Sequence, residues 1–520
     1  MRLAAIDVGS NSVHMVIADV TVGGHLEVIE RVKETVRLGS KSFTTGLLRA
    51  EAMDLAISAV GHFVHLARVR KVDRVRAVAT SAVREARNRD TFIKRLHRET
   101  SLAVRVVTGA EEARLIFRAA RHALGLEGGP HLLVDVGGGS AELVLVEDRK
   151  PLITHSVPLG AVRLMEAFLT ADPPTPAQIA RLEDHLEHEL GPLLHSIRKA
   201  GVKRAIGTSG AANTLVAMAR AARGQELGRL HGATASAAEI SRLRRRLLEE
   251  TTAGRAEIPG MDAKRADIMP APAILMDFIL GRIGEPELMA CTWALREGLM
   301  LELAEVSSER SETAAEIRRR SVQALSTRFA GRNRHGRQVA RLSLQLFDAL
   351  GASLRLADGS RELLEYAALL HDIGHAIDHD RHNRHTCYLI QNAELLGFDP
   401  VEIDVIAQAA RGHRKQAPKL ASPELQTLPA PRRRQIRGIA AILRVADAID
   451  RSHFSVVKDL RLTLSSDRLL IEVDSVDEGA ELELWATERR TDLLSRLLER
   501  KILLRTALAL GPRGRALAAR

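Results

Sequence analysis

The stretch Leu132–Val146, LLVDVGGGSAELVLV, constrains the fold more than any other part of this 520-residue chain. It reads as a buried strand, a tight glycine turn and a second strand. Three successive glycines, Gly137, Gly138 and Gly139, let backbone N–H groups approach an anion with no Cβ in the way. Ser140 adds a hydroxyl, and Asp135 and Glu142 set an acid on each side of the turn. Amides for phosphate beside carboxylates for a cation suit phosphoryl transfer. A glycine turn alone is usually only a hairpin, but this one occurs twice. Leu3–Asp19, LAAIDVGSNSVHMVIAD, superposes on it with Asp7 on Asp135, Gly9 on Gly137 and Ser12 on Ser140. A repeated strand–Asp–turn–strand unit implies two similar half-domains that grip one phosphate chain from both sides.

Strands and helices alternate through residues 1–125 and again through 126–305, an α/β pattern. Gly207–Gly210, GTSG, runs from a strand into a helix, where free N–H groups make an anion site. A boundary is expected at Val306–Ser311, and Thr313-Ala-Ala-Glu316 matches a capping box. Residues 312–450 read as helical, with Ala417–Arg434 a Pro- and Arg-rich loop. Residues 456–520 read as a small α+β domain. In it, LRLTLSSDRLLIEVD forms paired strands, Glu481–Trp485 a further strand, and Arg489–Leu503 a helix.

The formal net charge of +11 points to a polyanionic partner, and aromatic content of 3% argues against base stacking, hence against specific nucleic-acid binding. No apolar run approaches a membrane span, and Asp7 interrupts the N-terminal one, which argues against a signal peptide. Cys291 and Cys387 stand far apart with no CxxC, which fits a reducing cytoplasm.

Five motifs stand in the order of one family: Ile6–Ser12 (IDVGSNS), Ala79–Asn88 (ATSAVREARN), Thr108–Leu115 (TGAEEARL), Val134–Leu143 (VDVGGGSAEL) and Gly207–Gly210 (GTSG). The chain resembles the exopolyphosphatase/guanosine pentaphosphatase family. The resemblance implies duplicated actin-like ATPase (ribonuclease H-like) halves. It also implies that Glu112 is the general base that readies water, with Asp135 and Glu142 on the magnesium and water side. Asp7 reads as a further cation ligand, with manganese as an alternative metal. Adjacent helical residues differ by about 100° of rotation, so of Glu111 and Glu112 only one enters the cleft. Phosphate ligands are Arg84, whose guanidinium forks onto two oxygens, with Thr80 and Ser81 and, less directly, Asn88. The turn residues Gly9, Ser10, Asn11, Gly137, Gly138, Gly139 and Ser140, together with Thr208 and Ser209, complete the set.

His371-Asp372 in LLHDIGH resembles the core of the HD metal-dependent phosphohydrolases. That pattern needs an upstream His and a distant Asp, and His335 and Asp447 fit those places. Imidazole and carboxylate suit a divalent metal, and His385 and His413 are candidates for a second one.

The first functional reading is an exopolyphosphatase that releases orthophosphate from the ends of inorganic polyphosphate, with guanosine pentaphosphate as an additional substrate and a homodimer as the assembly. Arg411, Lys415 and Arg432–Arg434 are candidates for a basic channel. The second reading makes the HD site a nucleotide phosphohydrolase and the N-terminal half its phosphate-responsive regulator. A third is a binding module or a kinase, although no adenosine pocket is legible.

Overall fold

The computed structural model describes residues 1–20, 26–225, 228–305, 312–414, 417–418, 423–426, 428–475 and 480–506. Lys415 and the segment 306–311 lie outside the described residues. The chain forms two compact units, Met1–Ile317 and Arg318–Arg520. Among the described residues, no helix is long and apolar enough to cross a membrane.

The first unit holds two sheets. One contains β1 (Arg2–Val8), β2 (Ser12–Val20), β3 (Leu26–Thr35), β4 (Arg74–Ala79) and β5 (Val104–Val106), in the order β3-β2-β1-β4-β5. The other contains β6 (His131–Val136), β7 (Ala141–Glu147), β8 (Lys150–Val157), β9 (Arg204–Gly207), β10 (Thr234–Ala235) and β11 (Glu287–Ala290), in the order β10-β11-β9-β6-β7-β8. Each sheet starts from an antiparallel hairpin, β1–β2 or β6–β7, and the next strand of the core runs parallel to the hairpin's first strand. The repeated glycine motif is therefore the seed of a repeated sheet. Register sets Asp7 opposite His14 in one hairpin and Asp135 opposite Glu142 in the other.

The central strands read as continuous apolar runs because both faces are covered. Leu3, Ala4, Ala5 and Ile6 are fully buried, as are Leu132 and Val134. Two helices, Gly109–Leu124 and Leu295–Leu303, pack closely within this unit. A Cβ on Gly298 would overlap the carbonyl oxygen of Leu115, so only glycine permits this approach. The expected capping box is present: Thr313 N–H donates to Glu316 Oε2 at 2.7 Å, and Glu316 N–H donates to Thr313 Oγ1 at 3.1 Å.

The second unit packs the helices Arg334–Leu350, Ser360–Leu370, His382–Asn392, Pro400–Arg411 and Ala430–Ile449 against a small sheet. Its strands are β12 (Val457–Leu464), β13 (Arg468–Ser475) and β14 (Lys501–Thr506), with β13 central. Helices and sheet share one core, in which Leu346, Ile439 and Leu443 join Leu469, Ile471 and Leu494.

Three local expectations change here. Glu481–Trp485 is the start of a helix, Glu481–Glu488, not a strand. The alternating leucines and tryptophan do not mark a buried face: Trp485 is 52% exposed and Glu483 only 2%, its Oε1 accepting from Ser452 N–H. The helix read over Arg489–Leu503 is confined to Asp492–Leu498. Glu499 ends it in the left-handed region, and Lys501–Thr506 becomes a strand parallel to β13. Arg432–Arg434 lie in the first turns of the helix Ala430–Ile449, which begins directly after Pro429, not in a loop.

Gly298→Ala should lower unfolding stability by about 1–3 kcal/mol through overpacking. Gly61→Ala, at a helical position where a Cβ meets nothing within 4 Å, should raise it by about 0.5–1 kcal/mol. Urea titrations check both, read as midpoint shifts at constant slope.

Candidate active site

Both hairpins close in the same way. Gly9 N–H donates to Ser12 O at 3.1 Å, and Gly137 N–H donates to Ser140 O at 3.0 Å. The two turns meet. A Cβ on Gly138 would stand 2.8 Å from Ser10 Cβ and 3.2 Å from the Asn11 nitrogen, and one on Gly139 would lie 2.5 Å from Ser81 Oγ. Ser10 Oγ ties its turn to the short helix Ser81–Glu85 by accepting from Ala82 N–H at 3.2 Å. Arg163 steadies the other turn, its Nε donating to Gly139 O at 2.8 Å.

Glu112 sits in the first turn of the helix Gly109–Leu124, which Thr108 caps by accepting from Glu111 N–H at 3.2 Å. The two glutamates diverge as helical rotation requires. Glu112 is buried at 7% exposure, while Glu111 turns out to pair with Arg105. Arg84 Nη1 donates to Glu112 Oε2 at 3.1 Å and to Val107 O at 3.0 Å. Thr208 Oγ1 donates to Asp135 Oδ2 at 2.6 Å, and Ser156 Oγ donates to Glu142 Oε1 at 2.8 Å. Ser209 caps the helix Gly210–Ala222, its Oγ accepting from Ala212 N–H. Asn88 clamps the Leu48 backbone through both its amide atoms, at 2.9 Å each, and points its hydrogen bonds away from the turns.

Asp7, Glu112, Asp135 and Glu142 form one group of repelling carboxyls, Glu112 and Glu142 buried and Asp7 and Asp135 partly so. Burial pushes Asp7 up to about 7; Arg296 opposes the rise, and Asp135 and Glu297 add to it. Burial likewise pushes Glu112 up to about 7, against the pull of Arg84 and with a push from Asp7 and Asp135. Glu142 is raised well above the carboxylate range by burial, then by Glu112 and Asp135. Asp135 is raised by burial and held back by Thr208, Arg296 and Arg265. Asp7 Oδ1 and Glu142 Oε2 are buried without a hydrogen-bond partner. An all-oxygen donor set with unpaired buried oxygens fits a hard cation such as magnesium.

Arg296 and Arg265 are charged neighbours of these acids that the motifs did not mark. Arg296 Nη1 lies 2.5 Å from His14 Nδ1, and the Arg265 guanidinium lies so close to Gly210 that any Cβ there would strike it. Neither carries a local signal, because each reaches the pocket from a segment far away in sequence.

The second unit gathers His335, His371, Asp372 and Asp447. His335 Nε2 lies 3.3 Å from His371 Nε2 and 3.3 Å from Asp447 Oδ1, and 3.8 Å from Asp372 Oδ2. His382 and His413 stand on the other oxygen of Asp372, at 3.3 and 3.5 Å. His382, about one turn before His385 on the same helix, is the residue set beside Asp372. Arg411 ends the helix Pro400–Arg411.

Sequence models of known families match this chain in two places. The model of the Ppx/GppA phosphatase family matches residues 16–307, and that of Ppx/GppA phosphatase, domain III, matches residues 317–490. The chain is 34% identical to Exopolyphosphatase 1 of Mycobacterium leprae over 321 residues, 60% of this chain and 92% of that protein. It is 34% identical over 315 residues to Exopolyphosphatase 1 of Mycobacterium tuberculosis, 60% of this chain and 91% of that one. Among solved structures it is similar to an exopolyphosphatase from Cytophaga hutchinsonii, with a TM-score of 0.56, 30% identity and coverage of 59% of this chain and 99% of that chain. A Ppx/GppA family member from Aquifex aeolicus gives a TM-score of 0.51 and 31% identity, again over 59% of this chain and 99% of that chain.

A carboxyl that titrates higher folded than unfolded makes the folded state bind more protons between the two values, so stability falls as pH rises through that window. For Glu112 the window runs from the ordinary 4.5 to about 7. In chelator, Glu112→Gln should therefore be more stable than the natural chain by up to about 3 kcal/mol at pH 8. The gain should vanish near pH 4, where both states hold the proton. Denaturant titrations at the two pH values measure this.

Proposed function

Because the chain belongs to the Ppx/GppA phosphatase family, we propose that its first unit is an exopolyphosphatase that releases orthophosphate from the ends of inorganic polyphosphate. The family assignment makes it a phosphoanhydride hydrolase. The observation that carries the finer reading is the position of Glu112. It is buried and feels the charges of Asp7 and Asp135, the acids that lead into the two glycine turns, and its proton affinity lies near neutrality.

The duplicated sheets are read as actin-like, ribonuclease H-like halves. The turn residues Ser10, Asn11, Gly138, Gly139 and Ser140 would offer backbone N–H groups to the terminal phosphate, those of Gly9 and Gly137 being used to close the turns. Arg84 exchanges its hold on Glu112 for phosphate oxygens, which frees the carboxylate. Glu112 takes a proton from water, the water oxygen bonds to the terminal phosphorus, and the bond to the bridging oxygen breaks. The shortened chain departs on that oxygen. Asp7, Asp135 and Glu142 would hold magnesium, or manganese in its place, which supplies charge neutralisation at the phosphates. Guanosine pentaphosphate presents the same terminal phosphate chemistry and is an additional substrate on this reading, and a homodimer is its assembly. The net charge of +11 draws a long polyanion, so affinity falls with salt.

Glu112→Gln should lower kcat for orthophosphate release from polyphosphate by about 10²–10⁴ with little change in KM. Glu111→Gln should stay near the natural rate. For the unaltered enzyme, kcat/KM should climb about tenfold per pH unit on the acid side and level off once Glu112 is ionised, and a cation held by Asp7 and Asp135 should move that break below the metal-free value of about 7. Polyphosphate hydrolysis that survives Glu112→Gln and disappears with Asp372→Asn would move the activity to the other unit.

A further inference from the structure

We propose that Arg163 is a positioning residue for hydrolysis: it aims the Ser140 amide at the phosphate and makes that aim depend on closure of the two halves of the first unit. The proposal rests on the exopolyphosphatase reading above.

Every carbonyl of the triple-glycine turn is held by one element. The helix Ala161–Phe168 begins against the turn. Ala161 N–H donates to Gly137 O at 2.9 Å, and the N–H groups of Val162 and Arg163 donate to Gly138 O at 2.9 and 3.2 Å. Gly139 O accepts from the Arg163 side chain, through Nε at 2.8 Å. So close an approach needs Gly160, where a Cβ would stand 2.3 Å from the Gly139 nitrogen. The peptide bonds of this turn are trans, and in a trans peptide the N–H points opposite to the carbonyl that precedes it. Holding the three carbonyls therefore sets the directions of the Gly138, Gly139 and Ser140 N–H groups.

The first two directions are set by backbone donors and the third by a side chain. The other turn differs. There Ser10 O accepts from Gly39 N–H at 2.6 Å, and Asn11 O accepts from the N–H groups of Val36 and Arg37 at 3.1 and 2.8 Å, all backbone donors of its own half. Ser140 is thus the amide whose aim rests on a guanidinium.

The same guanidinium crosses to the first half. Arg163 Nη2 donates to Glu85 Oε2 at 2.6 Å, and Ser81 Oγ donates to Glu85 Oε1 at 2.9 Å. Its Cζ lies 4.1 Å from the centroid of the Phe43 ring. Further along the same helix, the Glu166 carboxylate accepts from Lys41 N–H at 2.9 and 3.0 Å. Glu85 is the last residue of the short helix Ser81–Glu85, which carries Arg84. One rigid, planar group thus holds both Gly139 O and Glu85. Parting the halves takes Glu85 and Phe43 away from it and slackens its hold on Gly139 O. An amide aimed at developing charge favours the transition state over the ground state. Arg163 therefore acts on kcat through Ser140, without touching phosphate.

The test is steady-state release of orthophosphate from polyphosphate by the full chain, with kcat and KM separated and a urea titration of each variant. Arg163→Ala should lower kcat by about 10–100-fold and leave KM within about threefold. Guanidinium ion, added well below the concentration that unfolds the chain, should recover part of the loss, which a folding defect would not allow. Glu85→Gln should lower kcat less. The double variant should be no slower than Arg163→Ala alone, because both changes break one linkage. A raised KM at the natural kcat makes Arg163 a phosphate ligand and overturns the positioning role. Losses that multiply in the double variant overturn the dependence on closure. Should Arg163→Ala fail to fold, Glu85→Gln carries the test, and a natural kcat there overturns the linkage. A natural chain that releases no orthophosphate overturns the exopolyphosphatase reading itself, whereas an active natural chain beside an Arg163→Ala variant of equal kcat and KM overturns this proposal alone.

Discussion

Four carboxyls crowded into one pocket set the terms for the first unit. A carboxylate removed from water resists ionisation unless positive charge comes with it. Asp135 raises the proton affinity of Asp7, Glu112 and Glu142, and Asp7 adds to that of Glu112. The surrounding structure answers only in part. Arg84 takes one oxygen of Glu112, Thr208 one of Asp135 and Ser156 one of Glu142. Asp7 Oδ1 and Glu142 Oε2 are left over. Such an arrangement costs stability, and it is tolerable where an incoming cation supplies the missing charge.

The glycine turns make this pocket compact. With Ser10 Cβ 2.8 Å from the place of a Gly138 Cβ, neither turn can widen into a side chain. The two halves are copies in topology but not in chemistry. His14 occupies the register position that Glu142 holds in the other hairpin. Burial, and then Arg296, Lys33 and Arg265, hold His14 well below the ordinary imidazole value, so it is neutral. One hairpin thus presents two acids and the other presents one acid beside a neutral ring. On the proposed reading that asymmetry gives the pocket a direction: the acidic side would gather the cation, and the side nearer Arg84 and Arg296 would be left for phosphate.

What was legible in the sequence is what is local. The paired hairpins, Glu112 in its capped first turn, and the divergence of Glu111 follow from spacing and helical rotation over a few residues. Arg296 and Arg265 were not legible, because no periodicity ties either to Asp7 or Asp135. Only the packing of Leu295–Leu303 beside β1 and the path of the chain before Pro270 bring them in. That His382 and not His385 stands beside Asp372 was not legible for a related reason. The two are a turn apart on one helix, and that helix is seated against Gly374, where a Cβ would overlap the backbone of His382 and lie 2.5 Å from Thr386 N. The C-terminal segment misled through composition. Glu483 is buried by one hydrogen bond to a distant backbone, which inverts the apparent polar face.

The two clusters differ in a way that decides which cations each would favour. Around Asp7, Asp135 and Glu142 the donors are oxygens alone, which suits a hard ion that keeps much of its water and travels with phosphate. Around Asp372 nitrogen donors outnumber oxygens, and the imidazoles of His371 and His413 are locked by bonds from their outer nitrogens, which suits a transition ion held in place by the protein. An oxygen site of this kind is filled and emptied as substrate comes and goes, whereas a nitrogen-rich site retains its ions. On the proposed readings the two units therefore need not compete for one metal.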